Sequence, residues 1–266
     1  KAYIYAKKSN SDLAIDLTEW LRLRAGDAIF SDYINFIETK SKWPGMPYIM
    51  KKAEKKITLD EDPKLIINLF KNNFPVTGHG STMLSLAHLK IGDTKQAEKI
   101  AAISWLDQKF DEKNFQLMIK NFKDIISINN NKRLNNLLWK KDLSSVNQLK
   151  KIMTADDFFI AEQRVRLQKL IKSKNKIETL KIYNLKDPGV LFDYANYLQS
   201  TKKYKKVSNI IFNLSKNPIK LGLSYKWSEL RIYHARRELR LGNMMKAYKI
   251  SSNHLISNEF FVNDDF

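Results

Sequence analysis

The sequence predicts an all-α protein, assembled as a solenoid of antiparallel helical hairpins. Three observations carry this. Apolar residues recur at the 3.6-residue period of a helix face from one end of the chain to the other, without the strict alternation of a half-buried strand. Glycine and proline, 8 and 6 in 266 residues, are too sparse for a many-turned β-architecture, and Leu, Ile, Lys, Ala and Glu dominate between them. The apolar stretches also come in pairs, each pair joined by a short polar turn.

Taken in order, the first pair is "LRLRAGDAIFSDYINFIETK", turning at Gly26. Glycine there supplies the left-handed conformation that ends a helix. "PKLIINLFKNNF" follows, with Leu65, Ile66, Leu69 and Phe70 at helical spacing, and acidic Asp60-Glu61-Asp62 before it as a helix start. In the next stretch, "PVTGHGSTML", Gly78 to Thr82 put two glycines, two hydroxyls and an imidazole within five residues. A phosphate-binding glycine loop needs a strand before it and, in its commonest form, a lysine within it. Here a helix precedes and no lysine follows Gly80, so the stretch reads as an inter-helix turn: Pro75 stops one helix, Thr77 caps the next, and Gly78 to Ser81 form its first turn.

"LSLAHLKIGDTKQAEKIAAISWL" turns at Gly92 and "ELRLGNMMKAYKISSNHL" at Gly242, with Asp93 and Asn243 placed as N-caps. Five residues past the glycines stand Ser31, Ala97 and Ala247, small side chains that let two helices approach closely. "NNLLWKKDLSSVNQLKKI" and "ANYLQSTKKYKKVSNIIF" repeat the hairpin without glycine, with Val146 and Val207 in that place, and Asp156-Asp157 mark another helix start. The turns are unevenly spaced, so the array is a degenerate one, tetratricopeptide-like in its hairpins: a right-handed α-superhelix, curved or ring-like. No composition break marks a linker. Residues 1–266 are expected to form one superhelical domain, with a bend placed in the polar, weakly periodic 172–189.

The net charge of +19 invites polyanions. Against that, nine of the 47 basic residues are arginine, the side chain suited to bidentate phosphate recognition, and the lysines scatter between apolar helix positions. A functional basic surface and a merely solvated one both remain open on composition. Arg231, Arg236, Arg237 and Arg240 crowd one helix and are the candidate surface-recognition cluster, or else pair between helices. The four histidines lack metal-ligand spacing; His234 continues the stripe Leu223, Trp227, Leu230 as a core histidine. No cofactor and no metal is indicated. The absence of cysteine excludes disulfides and thiolate metal sites and leaves the compartment open. No apolar run reaches the roughly 18 residues of a membrane span. The first residue is Lys1 rather than Met, and a processed or excised fragment, its targeting signal gone, is the expectation.

Several segments, in order, resemble the helical domain of soluble lytic murein transglycosylases. "WSELRIYHARRELRLGNMMKAYKISSNH" matches through Trp227, Arg231, Ala235, Arg236, Gly242, Ala247, Tyr248 and His254; "DPGVLFDYANYLQS" through Asp187, Pro188, Gly189, Leu191 and Phe192; "KRLNNLLWKKDLSSV" through Arg133, Leu134, Leu137, Leu138 and Trp139. "WPGMPYIMKKAEKKI" and "FPVTGHGSTMLSLAHLKIGDTKQAEKI" are similar to earlier segments, so the resemblance covers about residues 20 to 262. It implies a ring-forming helical scaffold in the periplasm. In that family the scaffold carries a lysozyme-like domain that cleaves the β-1,4 bond between N-acetylmuramic acid and N-acetylglucosamine to a 1,6-anhydro product. The family's catalytic Glu-Ser and Gly-Leu-Met-Gln motifs are absent from this sequence. The expectation is therefore a non-catalytic portion without the catalytic domain, whose partners are peptidoglycan and that missing domain. A tetratricopeptide-like protein-binding adaptor and a basic solenoid binding nucleic acid are the alternatives. An adaptor calls for a regular repeat and an RNA reader for evenly spaced code positions, and the sequence has neither.

Overall fold

The computed structural model describes residues 2–173, 182, 184–214 and 221–256. Half of the stretch in which a bend is expected (174–181 and 183), and the chain from 257 onward, lie outside them. Among the described residues every regular element is helical. By internal contacts the chain divides into two compact units, Lys1–Arg133 and Leu134–Phe266.

The first unit holds α1 (Ala2–Lys8), α2 (Asp12–Ala25), α3 (Phe30–Thr39), α4 (Met46–Glu54), α5 (Pro63–Leu69), α6 (Gly78–Lys90) and α7 (Thr94–Asp107), and the larger part of α8 (Glu112–Lys140). α8 is kinked at Phe122, whose φ of −133° and ψ of 27° leave the helical range. α1 packs on α2, α2 on α3, α3 on α4, α5 on α6 and α6 on α7, and α2 also meets α4. The core between α2 and α7 includes Leu23, Tyr33, Ile49, Ala53, Ile66, Met83 and Ala87, all buried. The second unit holds α9 (Leu143–Lys150), α10 (Ala155–Ser173), α11 (Pro188–Ser200), α12 (Tyr204–Leu214), a 3-10 turn at Ser224–Trp227, α13 (Ser228–Arg240) and α14 (Met244–Ser252). Its core gathers Trp139, Phe192, Val207, Ile211, Trp227, Leu230 and Ile250, and α12 touches both α13 and α14.

The hairpin turns follow the expected chemistry. Gly26, Gly92 and Gly242 have φ of +94°, +83° and +78°. Lys141 (φ +57°) and Lys202 (φ +61°) hold the same conformation at the two glycine-free turns. Ala97, Val146, Val207 and Ala247 are all buried at the hairpin contacts. Ser31 is not: it is exposed, because the chain from Gly26 to Ile29 is longer than the other turns and α3 starts only at Phe30. Tyr33 takes the close position instead, and its hydroxyl donates to the Leu23 carbonyl at 2.8 Å. Asp93 caps α7 by accepting from the Gln96 amide. Asn243 occupies the cap position of α14 without a side-chain cap bond, since its amide donates to Glu238 Oε2 at 2.7 Å.

Candidate functional site

The Asp-Pro-Gly segment works as a unit. Asp187 caps α11, its carboxylate accepting from the Val190 amide at 2.8 Å, and Pro188 begins the helix where no amide hydrogen is needed. Gly189 makes room for a buried cation. A Cβ there would lie 2.5 Å from Arg164 Cζ and 2.8 Å from Nε, with Nη1 closer still. Arg164, on α10, is 1% exposed and its Nε donates to Asp193 Oδ2 at 2.7 Å. Gln168 Nε2 donates to the same oxygen at 3.0 Å and to the Leu138 carbonyl at 2.9 Å. Burial pushes the Asp193 carboxyl up, while Arg164 and Gln168 oppose that shift.

The Arg164 guanidinium also lies 4.7 Å from the Trp139 ring centroid. Trp139 packs on Phe192, and Phe192 meets Trp227 edge-on, with centroids 5.1 Å apart in both pairs. Trp227 is anchored by its indole N–H, which donates to the Leu221 carbonyl at 2.9 Å. Gly222, with φ +61°, lets the backbone lie against Trp139.

Above this aromatic stack opens a cleft of about 560 Å³, with Trp139 and Phe192 in its floor. Tyr225 and Tyr233 stand in its walls, with Lys140, Lys141, Lys226 and Glu229 among them, and Tyr233 is 41% exposed. Two amides face it. Asn196 donates its Nδ2 hydrogen to the Phe192 carbonyl at 2.9 Å, leaving Oδ1 as an acceptor. Gln199 Oε1 accepts from His234 Nε2 at 2.9 Å, leaving its amide hydrogens as donors. The cleft therefore offers aromatic faces, one acceptor, one donor and flanking charges within a single concavity. Residues from three segments distant in sequence, around Trp139, Phe192 and Trp227, converge to form it.

The four-arginine cluster is not one surface. Arg231 is fully buried and donates from Nη1 to the Ile250 carbonyl at 2.9 Å, so it closes the C-terminal end of α14 rather than facing a partner. Burial lowers its pKa to about 10. Arg237 is half-buried, 5.7 Å from the Tyr204 ring and 3.4 Å from Glu238. Arg236 and Arg240 are exposed. Arg133 behaves like Arg231: fully buried, 4.6 Å from the Trp105 ring centroid, it donates to the Gln108 carbonyl at 3.0 Å and to the Trp105 carbonyl at the end of α7. His254 Nδ1 accepts from the Ile256 amide at 2.9 Å. Burial lowers its pKa, as does the charge of Arg231.

At "PVTGHGSTML" Thr77 caps α6, accepting from the Gly80 amide at 3.0 Å. An anion does sit there, and it belongs to the protein. Glu54, fully buried, accepts from the Val76 and Thr77 amides at 2.8 Å each and from the Thr77 hydroxyl. A Cβ on Gly80 would lie 2.5 Å from Glu54 Oε2. His79 is held by the Ile57 carbonyl at 2.9 Å and Asn114 Oδ1 at 3.1 Å.

Glu54, Arg164 and Asp193 are the structural residues that sequence reading passes over. A signal for Arg164 exists: it continues the stripe Phe158, Ala161 toward Gln168 at steps of three, three and four. Among the described residues no group of three or more His, Asp or Glu is placed to hold a metal ion, and no helix is long and apolar enough to cross a membrane. No family model, curated protein or solved structure matches the chain.

Proposed function

We propose that the chain is a non-catalytic helical scaffold of a periplasmic lytic transglycosylase, and that the cleft between Trp139 and Tyr233 meets peptidoglycan glycan. The convergence of the three segments on that one cleft carries this reading. Segments that resemble the same family one by one, yet lie far apart in sequence, supply its floor, its walls and its polar groups. N-acetylated sugars present apolar C–H faces edged by hydroxyls and amides, which suits aromatic walls with the Asn196 acceptor and Gln199 donor. The neighbouring lysines suit the carboxylates of the stem peptides.

A tetratricopeptide-like superhelix accords with the contact pattern. Polar contacts within each unit join residues about one hairpin apart: Glu38 to Asn68 and His79 to Asn114 in the first, Arg164 to Asp193 and Ser208 to Glu238 in the second, with separations of 30, 35, 29 and 30 residues. The exposed side chains of Leu239, Leu241, Met244, Met245 and Tyr248 give the α13–α14 hairpin an apolar face suited to a catalytic domain of a longer enzyme.

The test is retention on purified murein sacculi and titration with soluble muropeptide oligomers. The chain should bind at physiological salt and release no 1,6-anhydro-muropeptides. Tyr233→Ala with Asn196→Ala should weaken binding about tenfold, the loss typical of truncating a contact aromatic. Retention no greater than that of an unrelated protein of equal charge, or unchanged binding by the double variant, would overturn the proposal.

A further inference from the structure

A second concavity, in the first unit, is distinguished by charge. It has a volume of about 740 Å³ and lies over the turn from Val76 to His79. Lysines enter it from two sides. Lys51 and Lys55 stand one turn apart on α4 and its C-terminal end, and Lys109 and Lys113 stand four residues apart at the start of α8. All four are exposed.

The internal anions of this region are already committed. Asp111 lines the cleft, but its carboxylate accepts from the Asn114 backbone amide and side-chain amide at 2.8 to 2.9 Å. Glu54 lies beneath, fully buried, bonded to the amides of Val76 and Thr77. Among the described residues no carboxylate comes within ion-pair distance of Lys51, Lys55 or Lys113. Lys113 moreover occupies the first turn of α8, where the helix dipole disfavours a cation. Lys51 and Lys55 are favoured by the C-terminal end of α4, but Lys113 gains no such return from folding, and all three charges face the same cavity without a carboxylate partner.

We propose that this cleft binds a ligand carrying at least two adjacent oxyanion groups, phosphate or carboxylate, held between the Lys51–Lys55 wall and the Lys109–Lys113 wall. Lysine suits this task as a mobile point charge that follows either oxyanion geometry. A lone monoanion would engage one wall, whereas adjacent anionic groups engage both, and the volume suits a small organic ligand. The α6 amides take no part, because Glu54 fills that position. His79 is a fixed wall, its ring held from both sides by the Ile57 carbonyl and Asn114.

The experiment titrates the full chain calorimetrically with tripolyphosphate and, separately, with citrate, at low and at physiological ionic strength. Two charge-matched variants are compared: Lys51→Gln with Lys55→Gln, and Lys203→Gln with Lys205→Gln in the second unit. All four lysines are exposed, and circular dichroism verifies that both variants are folded. The first pair should weaken binding about tenfold or more and the second by less than about twofold. Tighter binding of tripolyphosphate assigns the site to phosphate ligands, and tighter binding of citrate to carboxylates. Equal losses in the two variants would show attraction to net charge alone and overturn the proposal, as would failure of the unaltered chain to bind either anion.

Discussion

Gly189→Ala isolates the packing around Arg164. Gly189 is a helical residue near the start of α11, so on backbone grounds alanine should stabilise it, by up to about 1 kcal/mol. Packing reverses the sign. The new methyl would sit 2.5 Å from Arg164 Cζ, well inside contact distance, and the guanidinium has nowhere cheap to go. It is pinned by Asp193 at 2.7 Å, lies against Trp139, and is only 1% exposed. A local shift costs the roughly 1–3 kcal/mol of overpacking. Separation of the pair, leaving Asp193 buried without its cation, costs roughly 3–5 kcal/mol. Less the helix gain, the expected loss is about 1–2 kcal/mol where the guanidinium shifts locally and about 2–4 kcal/mol where the pair separates. Urea denaturation followed by tryptophan fluorescence would measure it, with Trp139 and Trp227 reporting from the same cluster. Gly242→Ala serves as comparison: a Cβ there meets nothing within 4 Å, and the left-handed backbone alone costs about 1–2 kcal/mol. Replacing Arg164 and Asp193 together by leucine should erase most of the Gly189→Ala penalty, as coupled neighbours do. A Gly189→Ala chain as stable as the original would refute this account of the motif.

Two further outcomes are expected. Ala247→Leu, at a position 6% exposed between α13 and α14, should lower stability by about 1–3 kcal/mol, and an unchanged thermal midpoint would mean that the hairpin contact is loose there. His234 is neutral in the folded chain, because burial first and the Arg237 charge second lower its pKa from 6.5 to about 4. Between those values the unfolded chain binds a proton that the folded chain refuses, so this contribution is intact at neutral pH and is lost as pH falls from about 6.5 to 4. The gap corresponds to about 3 kcal/mol. His234→Phe should abolish that part of the slope; a stability difference between the two chains that stays constant from pH 7 to pH 4 would refute the assignment.

The hairpins were legible because short turns leave little freedom. With Gly92 or Gly242 in the left-handed conformation and the next helix starting two residues later, the fifth residue must face the partner helix, as Ala97 and Ala247 do. The same count fails at Gly26, since the longer connection shifts the register and brings Tyr33 inward in place of Ser31. For Arg231 the sequence left surface recognition and inter-helix pairing both open, for a different reason. A cluster of arginines on a helix reads as solvated because desolvating a cation is costly. Arg231 shares a face with Trp227 and Leu230, and the Ile250 carbonyl receives it at a helix end where backbone acceptors lack partners. Pattern alone assigns the face but not the acceptor.

The glycines of "PVTGHGSTML" show how a local reading can be right about structure and silent about cause. A helix start exposes amides that favour an anion, and an approaching carboxylate or phosphate needs a residue without a side chain in its path. That requirement makes phosphate loops rich in glycine, and it operates here as well. Gly80 leaves the space that Glu54 Oε2 occupies, while a Cβ on Gly78 would lie 2.9 Å from the Phe110 ring. The anion comes from 22 residues upstream of Val76, in a stretch, "MKKAEKKI", whose charges all read as solvent-facing. Ile49, Ala53 and Ile57 bury that helix face, and Glu54, one residue beyond Ala53, is carried in with them. The stretch therefore has the physics of an anion loop with its anion built in. External anions are left to the lysines around the rim.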